Sequence, residues 1–173
     1  MLLRAILLLS LNAFAQIVSL ESGAHFFLGS LQKEIEIAPY IGAGAELELS
    51  YYTNGYLQGA YSYLKLKNNS DFNGLHQFTG RAGIGTSEQI SKFASVGIGI
   101  SLAGIRGSAA TQAAENYMLN SSESEFGWNA RLKLNLLKFE KFTIGTAFYY
   151  DKIWTKPKSS NIVSAGAMLA LPL

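Results

Sequence analysis

His25 and His76 are the side chains best suited to exchange a proton near neutral pH, and they are the only histidines in the chain. A hydrolase built on either would need a serine held by the imidazole and a carboxylate to orient the ring. His76 is followed by Gln77 and Phe78, and Gly-x-Ser-x-Gly occurs nowhere, so no enzyme is expected. Two histidines without added carboxylates do not make a metal site, and no metal or cofactor is expected. Cysteine is absent, which excludes disulfides and thiolate chemistry. GRAGIG (80–85) and GIGISLAG (97–104) lack the spacing and the lysine of a phosphate loop. What remains is charge. Glu21, Glu46 and Glu48 stand against Arg81, Arg131 and Lys133, each on a residue that alternates with apolar neighbours. Opposite charges in equal number can pair where water is scarce, and an unpaired charge there is strongly unfavourable.

The elements that must position these charges are strands. In FGWNARLKLNL, Phe126, Trp128, Ala130, Leu132, Leu134 and Leu136 alternate with Gly127, Asn129, Arg131, Lys133 and Asn135. Alternate side chains of a strand point to opposite faces, so one face is apolar and the other carries the cations. Seven further segments read the same way. VSLESGAHFFL sets Val18, Leu20 and Phe26 against Glu21, His25 and Phe27, and YIGAGAELELSY sets Ile41, Leu47 and Leu49 against Tyr40, Glu46 and Glu48. Thr53-Asn54-Gly55 is expected to form the next turn, since Asn-Gly takes positive φ readily. YLQGAYSYLKLK is ambiguous: with Leu64 and Leu66 outward, Gln58 also points out unless a bulge switches the register. HQFTGRAGIG, FASVGIGISLAGI, FTIGTAFYYD and IVSAGAMLALPL complete the series. Glycines inside most segments argue against helices.

Residues 1–15 have the layout of a cleavable signal peptide, with Arg4, an apolar run and Ala13-Phe14-Ala15. The expected organisation is therefore a leader over 1–15 and one β domain over 16–173. Losing Arg4 takes the formal net charge from +2 to +1, which gives no reason to expect nucleic acid as a partner.

Alternation alone does not say which face meets water, because a secreted soluble barrel of lipocalin type hides its apolar face inside. Charged residues are only 15% of the chain, against about 25% in ordinary soluble domains. The apolar faces carry no Asp, Glu, Lys or Arg, as lipid contact requires. Aromatics gather near segment ends: Tyr51, Tyr52, Tyr56, Phe93, Phe139 and Phe142 toward the short connections, Phe26, Phe126, Trp128, Tyr150 and Trp154 toward the longer ones. Two such girdles suit the two membrane–water interfaces. The fold class expected is all-β: an eight-stranded antiparallel up-and-down transmembrane barrel.

On this strand pattern, and on stretches such as PYIGAGAELELSYY, residues 17–173 resemble the small eight-stranded outer-membrane barrels of the OmpA/OmpX-like class. The resemblance implies a bacterial outer-membrane location, a monomer, and contact with outer-membrane lipid, lipopolysaccharide and the assembly machinery. Family barrels commonly end on an aromatic residue, whereas here the last residue is Leu173. The implied role is structural or interactive, in envelope integrity or adhesion. A host or cell-surface ligand would meet the long loop at Glu115, Asn116, Tyr117 and Met118. The alternative is a narrow gated pore, with the interior charges as plug or gate.

Overall fold

The computed structural model describes residues 16–29, 31–67, 72–88, 90–109, 123–154 and 159–173. Eight strands run in chain order: β1 (Ile17–Leu28), β2 (Ala38–Ser50), β3 (Thr53–Leu64), β4 (Phe72–Thr86), β5 (Ala94–Ala109), β6 (Glu123–Lys138), β7 (Thr143–Ile153) and β8 (Ser160–Pro172). Each pairs antiparallel with the next, and β8 pairs with β1 to close a barrel. Closure leaves no strand edge unpaired. One short helix, α1 (Leu31–Glu34), links β1 to β2. The following Ile35 bridges to Leu66, which ties this connection to the one after β3.

The expected alternation governs which side chain goes where. Ile41, Ile98, Ile100 and Phe126 point outward and are each about two-thirds exposed. Ser19, Gln58, Ser101, Asn129 and Ser164 point inward and are buried. A large apolar surface outside and a polar interior are the reverse of a soluble lipocalin-like barrel, and that alternative fails on this point. No helix among the described residues is long and apolar enough to cross a membrane. Among the described residues, the lipid-facing rows between the rims hold no ionic side chain. Outward cations among these residues stand toward the long-loop ends at Arg106 on β5 and Lys152 on β7.

Four sequence expectations need correction. Thr53, Asn54 and Gly55 belong to β3, and Asn54 is buried; the turn falls on Tyr51-Tyr52 instead. Cross-strand pairing of Leu47 with Gly55 and Glu48 with Asn54 outweighs the local turn preference of Asn-Gly. β3 keeps one uninterrupted register, with Gln58 and Leu64 both inside. Leu64 is inward because the long-loop end of the interior is apolar, where Phe27, Ile35, Ala38, Ala103, Ile153 and Ile162 form a cap. Tyr56, expected in a girdle, points into the lumen on the same register and is 5% exposed. Glu48 is exposed, because the register shift between Glu48 and Ser50 lies where β2 leaves the interior.

The other girdle residues keep their outward positions. Tyr51, Tyr52, Phe93 and Phe139 are exposed at the short-turn rim, with Phe142 stacked on Phe139. Phe26, Phe126, Trp128 and Trp154 are exposed on the other half, and Tyr150 packs against Trp128. The loop tetrad Glu115, Asn116, Tyr117 and Met118 and the leader 1–15 lie outside the described residues.

Candidate functional site: the charged lumen

Inward residues at one level come from neighbouring strands in register. Gln58 on β3 pairs with Arg81 on β4, and Arg81 pairs with Ser101 on β5. Across the lumen from this row stand Asp151 on β7 and Ser164 on β8, and together these side chains form an upper tier. The Arg81 Nε donates to Asp151 Oδ1 at 2.9 Å, and Nη2 donates to Oδ2 at 2.6 Å. Nη1 donates to Gln58 Oε1 at 2.7 Å, and the guanidinium lies 4.3 Å from the centre of the Tyr149 ring. Ser101 donates to Asp151 at 2.6 Å. Every polar face of the pair thus has a partner, which is the condition under which a buried ion pair is tolerated. Alternation along β7 turns Asp151 inward, but nothing in the sequence names it as the partner of Arg81, 70 residues away.

Glu21 joins this tier through neutral donors. The Tyr149 hydroxyl donates to it at 2.8 Å and Gln58 Nε2 at 3.3 Å. His25 lies above, with Nδ1 2.7 Å from Ser164 Oγ and its ring stacked on Tyr40. A serine and a histidine do therefore meet, 139 residues apart in sequence. The arrangement lacks what a nucleophilic site needs. His25 Nε2 has no hydrogen-bond partner among the described residues, and Asp151 is engaged by Arg81 and Ser101 instead. His76 faces the lipid side, where its Nδ1 lies 2.8 Å from the Tyr61 hydroxyl.

A lower tier lies toward the short-turn rim. Glu46 on β2 takes Arg131 Nη1 at 3.0 Å and Lys133 Nζ at 2.9 Å, both from β6. Arg131 lies 4.1 Å from the centre of the Tyr56 ring. Tyr56 itself reaches across from β3 to donate to Asn129 on β6 at 2.5 Å. Gly83 and Gly99 occupy the two positions in that row, on β4 and β5. A Cβ at Gly83 would stand 2.6 Å from the Tyr56 hydroxyl, so glycine there is what lets the ring cross. From Lys133 the charges continue outward: Glu88 lies 3.8 Å away and pairs with Lys138 at 2.9 Å.

Of the six charged residues expected in the lumen, the structure brings Glu21 and Arg81 into the upper tier and Glu46, Arg131 and Lys133 into the lower. Glu48 joins neither, and Asp151 takes the place among the carboxylates that sequence alone gave to Glu48. Among the described residues no cluster of His, Asp and Glu could hold a metal ion.

The same architecture recurs in solved structures. The chain superposes on Neisserial surface protein A with a TM-score of 0.55 at 12% identity, covering 91% of this chain and 96% of that one. For the outer membrane protein OprG of Pseudomonas aeruginosa the TM-score is 0.60 at 10% identity, over 92% and 98% of the two chains. This chain has the fold of the small outer-membrane β-barrels. Ail, the attachment invasion locus protein of Yersinia pestis, matches at 0.51 with 12% identity over 91% and 99%. Its complex with the heparin analogue sucrose octasulfate matches at 0.51 as well. No protein-family model and no curated protein matches the sequence. The likeness is one of backbone.

Proposed function

We propose that this outer-membrane barrel is a rigid, non-enzymatic platform whose lumen is shut and whose long loops make its contacts outside the cell. The observation that carries this reading is the upper tier. Arg81 and Asp151 are each 1% exposed and Ser164 is 0% exposed, which leaves no room for a column of water at that level. The apolar cap above it adds a second obstruction. With transport set aside, the parts left to act are the loops and the outer surface. Ail, an attachment protein that takes a heparin analogue, has the same fold. That supports a surface-contact or adhesion role for the loop carrying Glu115, Asn116, Tyr117 and Met118. Lipopolysaccharide, the assembly machinery and a monomeric state complete the reading.

Planar-bilayer recording on the refolded barrel tests the closed lumen. The parent should give no resolvable steps, while Arg81→Ala/Asp151→Ala combined with Phe27→Ala/Leu64→Ala, which empties both the tier and the cap, should admit ions. Steady conductance by the parent would overturn the proposal. It would favour the second reading, a narrow pore gated at the lower tier. That reading draws on one observation: Arg131 Nε and Nη2 have no hydrogen-bond partner among the described residues, so Arg131 is held less completely than Arg81.

A further inference from the structure

The lipid-facing wall has a gap in its side chains over β2 to β5. There Ala43 pairs with Gly59, Gly59 with Gly80, and Gly80 with Leu102, so one outward row is nearly without side chains. Gly104 extends the gap on β5 beside Phe78. The result is a groove of about 810 Å³ walled by Leu20, Ile41, Tyr61, Phe78 and Leu102. Nothing lies within 4 Å of where a Cβ would stand at Gly59, Gly80 or Gly104, so no packing inside the barrel calls for these glycines. They differ in this from Gly83, whose Cβ would strike Tyr56 and the neighbouring strand. Outward glycine also forgoes apolar contact and β-propensity.

One rung above the groove, toward the long-loop rim, the outward residues turn polar. Tyr63 pairs with His76, and His76 with Arg106, on three adjacent strands. Tyr61 reaches His76 by hydrogen bond, and Arg106 is exposed. Arg106 stands two residues beyond Gly104 on the same face of β5, about 7 Å along the strand. An apolar groove within the hydrocarbon zone thus ends under a cation at the interface.

We propose that this groove is a binding site for one phosphorylated lipid of the surrounding leaflet. An acyl chain lies over Gly59 and Gly80, and the lipid phosphate meets Arg106 beside His76. Arginine suits phosphate through its forked donors, and a cation at the interface favours anionic lipid by roughly fivefold. The inference rests on the lipid-facing exterior and is independent of whether the lumen conducts.

Native mass spectrometry decides it, on the full barrel in micelles carrying equal phosphatidylglycerol and phosphatidylcholine. The parent should retain one lipid, with phosphatidylglycerol favoured by about fivefold. Gly59→Leu/Gly80→Leu fills the groove without striking the barrel and should lose both lipids. Arg106→Gln should retain both in equal amount. Heat-dependent gel mobility checks that each variant is folded. Three results would each overturn the proposal: a parent that retains no lipid, a filled groove that retains as much as the parent, or a preference that survives Arg106→Gln. Dimers of the parent that Gly59→Leu/Gly80→Leu dissolves would assign the groove to a second copy instead.

Discussion

The two tiers of the lumen solve the same problem in different ways. In the upper tier Arg81 and Asp151 match each other face to face, with serine and glutamine around them, and the second carboxylate, Glu21, is held by the neutral donors Tyr149 and Gln58. In the lower tier one carboxylate, Glu46, serves two cations, and Lys133 passes the excess on to Glu88 and then to Lys138, which is 58% exposed. The first is a closed account with no route to solvent, and the second is a relay that ends in it. Proximity to the rim explains the difference. A charge that water can help at one remove tolerates a shared partner, whereas one at the centre does not.

Breaking the closed tier should have the largest effect. Asp151→Ala removes the ion pair of Arg81 and leaves in its tier Glu21, which Tyr149 and Gln58 already hold, and should cost about 3–5 kcal/mol. Urea unfolding in lipid vesicles measures this, with heat-dependent mobility as the readout. The paired replacement Arg81→Met/Asp151→Leu should recover most of the loss; equal damage from the pair would mean packing, not the stranded charge, dominates. Next comes the relay. Glu46→Gln leaves Arg131 with the Tyr56 ring and Lys133 with Glu88, so its cost should be smaller, about 1–3 kcal/mol. A loss as large as that of Asp151→Ala would erase the distinction between the tiers. Smallest is the end of the chain: Lys138→Ala should shift stability by at most about 0.5 kcal/mol, and less in high salt.

The sequence made the faces legible and left the partners obscure. Lipid demands an apolar residue at every second position, and that demand is written locally in each strand, as in the row from Phe126 to Leu136. Height along the barrel is not written that way. Tyr56 reads equally well as a girdle residue near a turn until the register of β3 is known. Leu64 misleads because polarity marks the interior only below the apolar cap. Asn54 and Gly55 carry a strong turn preference that cross-strand pairing overrides. The pairings that define the upper tier join β4 to β7 and β1 to β8, and such contacts depend on how the strands wrap round, which no short window contains.

Closure of the barrel also bears on how it forms. The last ladder to be satisfied joins Val18 to Leu171 and Leu20 to Leu169, residues near opposite ends of the described chain. Every other ladder links strands that are neighbours in sequence and can zip in order from a turn. The β1–β8 seam alone must wait for a loop spanning the domain, so it carries the greatest entropy of closure and should be the slow event in assembly. Until it forms, two unpaired edges face the membrane. The upper tier cannot mature before it either, because Ser164 on β8 meets His25 on β1 only across that seam. Closing the seam and silencing the lumen are then one event in time.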